Sequence, residues 1–231
     1  MRVIHAKDSD EAVKLAAELF MEAADARPDA PIGLATGGTM DGIYLKLKEL
    51  NYRPETKHAF ALDDYVGLEP GSANSYTAEL RTKFVERLGW TGTLHVPGSG
   101  DYEGESGANK FEAAINAAGP LSVQLLGLGS NGHIAFNEPG SAFDTTTRLV
   151  ELHLATRSDN ARFFSSLEDV PTHAYTQGLA TISRSSFLLL VVLGERKLPA
   201  LTQALNAPSP QTPLAALLDH QNLTLITDQV L

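Results

Sequence analysis

One loop carries an imidazole and a carboxylate five residues apart. It runs Ser130-Asn131-Gly132-His133-Ile134-Ala135-Phe136-Asn137-Glu138-Pro139-Gly140 and follows an apolar run, Val123 to Leu128, that ends in Gly127-Leu128-Gly129. A buried strand delivering such a turn sets its polar side chains beyond the carboxyl end of a sheet, where open α/β sheets bind ligands. A general acid and base fit that place, and so does an ordinary solvated turn. Three other stretches offer chemistry. Asp63-Asp64 follows the strand-like His58 to Leu62; in extended backbone the two carboxyls point to opposite faces and do not share one proton. One can face a cleft while the other caps a helix or meets solvent. Thr36-Gly37-Gly38-Thr39 lies between an apolar strand and a helical pattern, so its backbone N–H groups, hydroxyls and helix N-terminus suit a phosphate, although a plain tight turn fits the spacing equally well. Arg162 and Lys197 near element ends could converge on an anion or be solvated helix-surface charges.

These residues need elements to hold them. Arg2 to Ala6 reads as a first strand, and Asp8 with Glu11 has capping-box spacing ahead of a helix with Val13, Ala16, Ala17, Phe20 and Ala24 on one face. Strands are expected at Pro31 to Ala35, His58 to Leu62, Thr93 to Pro97, Val123 to Leu128, Arg148 to Leu154, Phe187 to Leu193 and Leu223 to Thr227. Between them, Met40 to Leu50, Ser75 to Leu88, Ser106 to Ala118, Arg157 to Phe164 and a stretch ending near Ala207 read as helices. The alternation predicts an α/β fold: a doubly wound, mostly parallel, Rossmann-like sheet with helices on both faces and right-handed crossovers. Phe187 to Leu193, almost purely aliphatic, reads as a strand buried on both sides. The segment Arg148 to Val170, rich in Ser, Thr, Asp and Arg, is the candidate for a part that closes over a ligand.

Length and composition set outer limits. With 231 residues and no linker-like run, a single domain over 1–231 is expected. A net charge of −10 opposes binding to a phosphate backbone, so no nucleic-acid partner is expected, and a small anion must be held by local donors. The chain has no cysteine, which removes disulfides, thiolate nucleophiles and most structural zinc sites. Its seven histidines show no ligand-type spacing, and no metal is expected. The N-terminus lacks the apolar core of a signal peptide and no apolar stretch reaches bilayer-spanning length, so a cytoplasmic location without membrane attachment is expected. Gly127-Leu128-Gly129-Ser130-Asn131-Gly132 matches a dinucleotide-binding pattern, but Asn137, Pro139 and Gly140 break the long helix that such a motif must open. No Walker loop or nucleophile elbow is present.

The stretches Leu34 to Thr39, Leu62-Asp63-Asp64-Tyr65-Val66-Gly67-Leu68, Gly127 to Gly140 and Ala161-Arg162-Phe163-Phe164 resemble, in order and spacing, the signature segments of the glucosamine-6-phosphate deaminases. The run His-Ile-Ala-Phe-Asn-Glu-Pro separates that family from the related 6-phosphogluconolactonases. The resemblance implies conversion of D-glucosamine 6-phosphate and water to D-fructose 6-phosphate and ammonia, with no cofactor. Position by position, it implies Asp63 as the base moving a proton between sugar carbons 2 and 1, and His133 as the group handling the ring proton with Glu138 beside it. Thr36, Gly37, Gly38, Thr39, Arg162 and Lys197 match positions that hold the phosphate. Asn131 stands where many members carry Asp; its amide oxygen can accept from an imidazole N–H but stabilises an imidazolium less than a carboxylate does. The chain is shorter at its C-terminus than the hexameric, allosterically regulated members, so a monomer is expected.

A galactosamine-6-phosphate deaminase would use the same motifs. A 6-phosphogluconolactonase would keep the phosphate cradle and have no use for a carbon base at Asp63. A non-catalytic sugar-phosphate sensor should carry a helix-turn-helix and a basic face, and the acidic chain starts directly at its first strand.

Overall fold

The computed structural model describes residues 1–69, 71–209 and 211–231. Its chain alternates strands and helices: β1 Arg2–His5, α1 Ser9–Asp25, β2 Ile32–Leu34, α2 Gly38–Glu49, β3 His58–Ala61, β4 Asp63–Tyr65, α3 Tyr76–Leu80, β5 Thr93–His95, α4 Gly107–Ala118 and β6 Gln124–Leu126. There follow β7 Arg148–Glu151, α5 Leu154–Asn160, β8 His173–Thr176, α6 Leu179–Ser183, β9 Leu188–Val192, α7 Leu198–Asn206 and β10 Leu223–Thr227. Seven strands form one parallel sheet in the order β1-β10-β9-β6-β2-β3-β5. The expected α/β architecture is thus present.

Helices cover both faces. Along β3, Ala59 and Ala61 join the large core with α1 and α2, while Phe60 points the other way into a cluster with Phe111 and Ile115 of α4. This is the period-two alternation of a strand. β9 is buried along its whole length between β10 and β6, and each such aliphatic side chain contributes roughly 1.5–3 kcal/mol on burial. At the start of α1, Asp8 accepts from the Glu11 N–H at 2.8 Å, as its spacing predicts. The reciprocal arm reaches one residue further out, with Glu11 Oε2 accepting from the Lys7 N–H at 2.7 Å.

The sheet changes direction between β2 and β6, which pair through Gly33 and Gln124. From β2 the chain steps outward to β3 and β5, and from β6 it steps the other way to β9 and β10, which pairs with the first strand, β1. Loops leaving β2 and β6 in opposite directions open a crevice at their carboxyl ends. Gly33 permits this contact, because a Cβ there would lie 2.1 Å from Gln124 Oε1.

Several features depart from the expected pattern: the strand expected over Arg148 to Leu154 ends at Glu151, Leu154 opens helix α5, and α6 was not expected. The strand expected over His58 to Leu62 ends at Ala61, and Asp63–Tyr65 joins a separate antiparallel sheet of order β4-β8-β7. β8 lies in a stretch for which no element was expected. A small cluster of Tyr65, Phe136, Leu152 and Ala174 holds this sheet to the His133 loop. The helix expected over Ser75 to Leu88 is α-helical over Tyr76–Leu80, widens into π-type turns over Arg81–Glu86 and returns to α-helix at residues 87–88. Such widened turns occur often beside functional sites.

Candidate active site

At the β2/β6 switch lies a cleft of about 850 Å³, lined by the Thr36–Thr39 turn, Asp63, His133, Arg162 and Lys197, together with Tyr65, Tyr76, Glu79 and Lys83. Its size suits a small ligand. The glycine turn enters the cleft because Gly37, at φ 104, caps the start of α2 in a conformation that favours glycine.

The two acids of β4 divide as the strand pleat requires. Asp63 faces the cleft, while Asp64 accepts from the backbone N–H groups of Tyr65 (2.8 Å), Tyr76 (2.8 Å) and Thr77 (2.9 Å) and from the Thr77 hydroxyl (2.7 Å). Asp64 thereby caps the segment that carries Tyr76 and Glu79. Replacing it with Ala strands those donors, so Asp64→Ala should cost about 2–4 kcal/mol of stability. A lowered denaturant midpoint checks this; an unchanged midpoint contradicts it. Asp63 is buried, and burial, then the carboxylates of Asp64 and Glu79, push its proton affinity well above the usual carboxylate range.

His133 lies flat against Gly129. A Cβ on Gly129 would sit 2.3–2.5 Å from ring atoms Cε1, Nε2 and Cδ2, so glycine is what leaves room for the imidazole. The loop is pinned from behind by buried Asn137, whose Nδ2 donates to the carbonyls of Ile134 (3.0 Å) and Gln177 (2.8 Å) while its Oδ1 accepts from Arg148 (2.9 Å). These bonds hold Ala135 at φ 52, a strained setting for a residue with a side chain. The strain sits on the cleft wall.

Asn131 and Glu138 stand behind the imidazole. Glu138 Oε2 lies 3.8 Å from His133 Nδ1, accepts from Asn131 Nδ2 at 2.8 Å and lies 3.7 Å from His153 Nδ1. Its Oε1 accepts from the hydroxyl of buried Thr156, which is also 3.4 Å from His133 Nδ1. The expected hydrogen bond from the imidazole to Asn131 is not present: Asn131 Oδ1 accepts from the backbone N–H of His133 at 3.1 Å. The reason is local, since an Asn two residues before that N–H closes an Asx turn on its own backbone. Burial lowers the proton affinity of His133; Glu138 opposes this and Lys197 adds to it, and the net shift is downward. The imidazole is therefore neutral near pH 7 and able to take a proton.

Arg162 and Lys197 meet in the cleft although their segments are distant in sequence. Lys197 is half-buried, and burial followed by the Arg162 charge lowers its proton affinity. Two like charges held together this way make a local positive field in the cleft. Sequence reasoning passed over Thr156, His153, Glu79 and Lys83; Thr156 and His153 reach Glu138 from another segment, while Glu79 and Lys83 form an i,i+4 pair whose spacing was open to a sequence reading. Among the described residues, no three His, Asp or Glu side chains are grouped to hold a metal ion, and no helix is long and apolar enough to cross a membrane.

A family model described as glucosamine-6-phosphate isomerases/6-phosphogluconolactonase matches residues 6–226. The chain belongs to this family. Within the glucosamine-6-phosphate isomerase/6-phosphogluconolactonase family, a glucosamine-6-phosphate deaminase from Corynebacterium urealyticum is 43% identical over 205 residues, covering 86% of this chain and 79% of its own. One from Corynebacterium glutamicum is 39% identical and covers 99% and 92%. A solved monomeric glucosamine-6-phosphate deaminase of the NagB superfamily superposes with a TM-score of 0.93 at 34% identity, covering 99% of this chain and 98% of its own. The 6-phosphogluconolactonase of Thermotoga maritima shares the fold, with a TM-score of 0.76 at 18% identity.

Proposed function

We infer that the chain, acting over 1–231 as one unit, is an aldose–ketose isomerising deaminase that converts D-glucosamine 6-phosphate and water to D-fructose 6-phosphate and ammonia. The observation that carries this reading is the buried, cleft-facing Asp63 set in one cleft with a neutral, carboxylate-backed imidazole and a glycine turn flanked by cations. The relatives at 43% and 39% identity bear that activity in their names. Thr36 to Thr39, Arg162 and Lys197 hold the phosphate and orient the sugar. His133 takes the proton of the anomeric hydroxyl and returns one to the ring oxygen, with Glu138 stabilising the transient imidazolium. Asn131 positions this pair through the loop backbone and the Glu138 carboxylate. In the open form, Asp63 removes the proton from carbon 2 and delivers it to carbon 1. The resulting ketimine adds water at carbon 2 and releases ammonia.

A lactonase has no step for a carbon base, so the placement of Asp63 favours the deaminase. The chain is inferred to work as a monomer, as the solved relative at TM-score 0.93 does, on a small sugar phosphate in the cytoplasm, with no cofactor and no nucleic-acid partner. Ammonia release from glucosamine 6-phosphate, coupled to detection of fructose 6-phosphate, tests the reading, with galactosamine 6-phosphate and 6-phosphogluconolactone alongside. Equal amounts of the two products from the gluco sugar are expected. Hydrolysis of the lactone without ammonia release from either sugar overturns it.

A further inference from the structure

One ion pair on the cleft wall has no part in the proton transfers above. Glu79 Oε1 accepts from the Gly37 N–H at 3.2 Å and from Lys83 Nζ at 3.1 Å. Lys83 also lies 3.4 Å from Asp41 Oδ2, and Asp41 is in turn paired with Arg87. Gly37, Glu79 and Lys83 all line the cleft. Glu79 thus places an anionic oxygen on one backbone N–H of the glycine turn and one ammonium. Those are the contacts a phosphate oxygen makes at such a turn.

We propose that Glu79 is an internal stand-in for the substrate phosphate: its carboxylate occupies Gly37 N–H and Lys83 in the empty cleft and is displaced from both when the phosphate enters. The inference rests on the reading of Thr36 to Thr39 as the phosphate end. Three features of the site support an exchange over a fixed brace. Among the described residues Glu79 is held by these two donors, both in the cleft, and its side chain is partly exposed, so it has solvent to swing into. Lys83 keeps Asp41 as a second partner, so it stays in place when Glu79 leaves. A phosphate monoester near pH 7 carries about −1.5 to −2 charges against one on the carboxylate, so it competes well for donors already flanked by Arg162 and Lys197. A free amino sugar brings no anion, leaves Glu79 seated and gains nothing from Lys83. Glu79 therefore tempers affinity for the phosphorylated sugar, and Lys83 is a further phosphate-binding residue.

Calorimetric titration with inorganic phosphate tests this on the parent protein, Glu79→Gln and Lys83→Met, with KM and kcat for glucosamine 6-phosphate measured beside it. Glu79→Gln keeps the shape and a neutral acceptor but loses the competing charge. It should bind inorganic phosphate about 5–10-fold more tightly and lower KM similarly, while Lys83→Met should bind about tenfold more weakly. A brace requires the opposite sign for Glu79. Unchanged or weaker phosphate binding by Glu79→Gln overturns the proposal, as does unchanged binding by Lys83→Met. The titration needs no turnover, so a parent protein that binds phosphate but releases no ammonia counts against the deaminase reading and not against the exchange.

Discussion

Asp63→Asn should lower ammonia release from glucosamine 6-phosphate about 10³-fold, the usual worth of a positioned general base, while binding of inorganic phosphate stays within about twofold. The amide keeps the shape of the carboxylate but takes no proton from carbon 2. Activity of the parent protein requires Asp63 ionised. Because burial, Asp64 and Glu79 raise its proton affinity, the acid limb of kcat/KM should fall at a pH above the ordinary aspartate value of about 3.9. The rate climbs as the pH rises through that limb, and the residual activity of the variant lacks it. Stability moves the other way. A carboxyl that binds its proton more tightly when folded favours the native state below its unfolded pKa and loses that contribution as the pH rises through the folded value. Asn carries no such loss, so near pH 7 the variant should be at least as stable as the parent. Denaturant midpoints at two pH values separate lost chemistry from lost fold. A variant that keeps a tenth or more of the parent rate removes Asp63 from the mechanism.

The second large effect comes from a residue with no functional group. Gly129→Ala sets a methyl 2.3–2.5 Å from three ring atoms of His133, well inside contact distance, so the imidazole has to move. The backbone at Gly129 is not in the left-handed region, and alanine adds little backbone strain. Asn137 and the bond from Gly129 N–H to the His133 carbonyl at 2.9 Å keep the loop in place. The displacement is therefore confined to the side chain. A shift of about 1 Å in a reacting group costs about 100-fold in rate, so kcat should fall by that factor with a small change in melting temperature. A ring pushed out of its partly buried position should also titrate nearer the ordinary histidine value of about 6.5 than the parent ring does, which NMR of the imidazole resonances reads directly. An unaltered kcat shows that the ring has room the packing does not suggest.

Much of the architecture was legible because it depends on local periodicity. The Asp8 cap, the aliphatic strand of Leu188 to Val192 and the strand at Leu223 to Thr227 follow from spacing within a dozen residues. The division of labour between Asp63 and Asp64 also follows from the pleat, which sends neighbours to opposite faces. The antiparallel sheet was not legible. β4 and β8 are three and four residues long, and their pairing of Asp63 with Thr176 joins segments far apart in the chain. Asn131 shows a different failure: its type fits an imidazole acceptor, and only the bend of the loop turns its oxygen to the His133 backbone.

By itself the sequence determined which residues can do acid–base chemistry, which turn can receive an anion, and that strands alternating with helices must form a mostly parallel sheet. Tertiary structure alone decided that β2 lies beside β6, bringing the Thr36–Thr39 turn and the His133 loop to one crevice. It also decided that Arg162 meets Lys197, that Thr156 and His153 reach Glu138, and that Glu79 reaches Gly37. Periodicity records which face of an element is apolar, a property of each segment alone. Strand order and cross-segment hydrogen bonds depend on how those faces pack together, and that free energy belongs to no single segment.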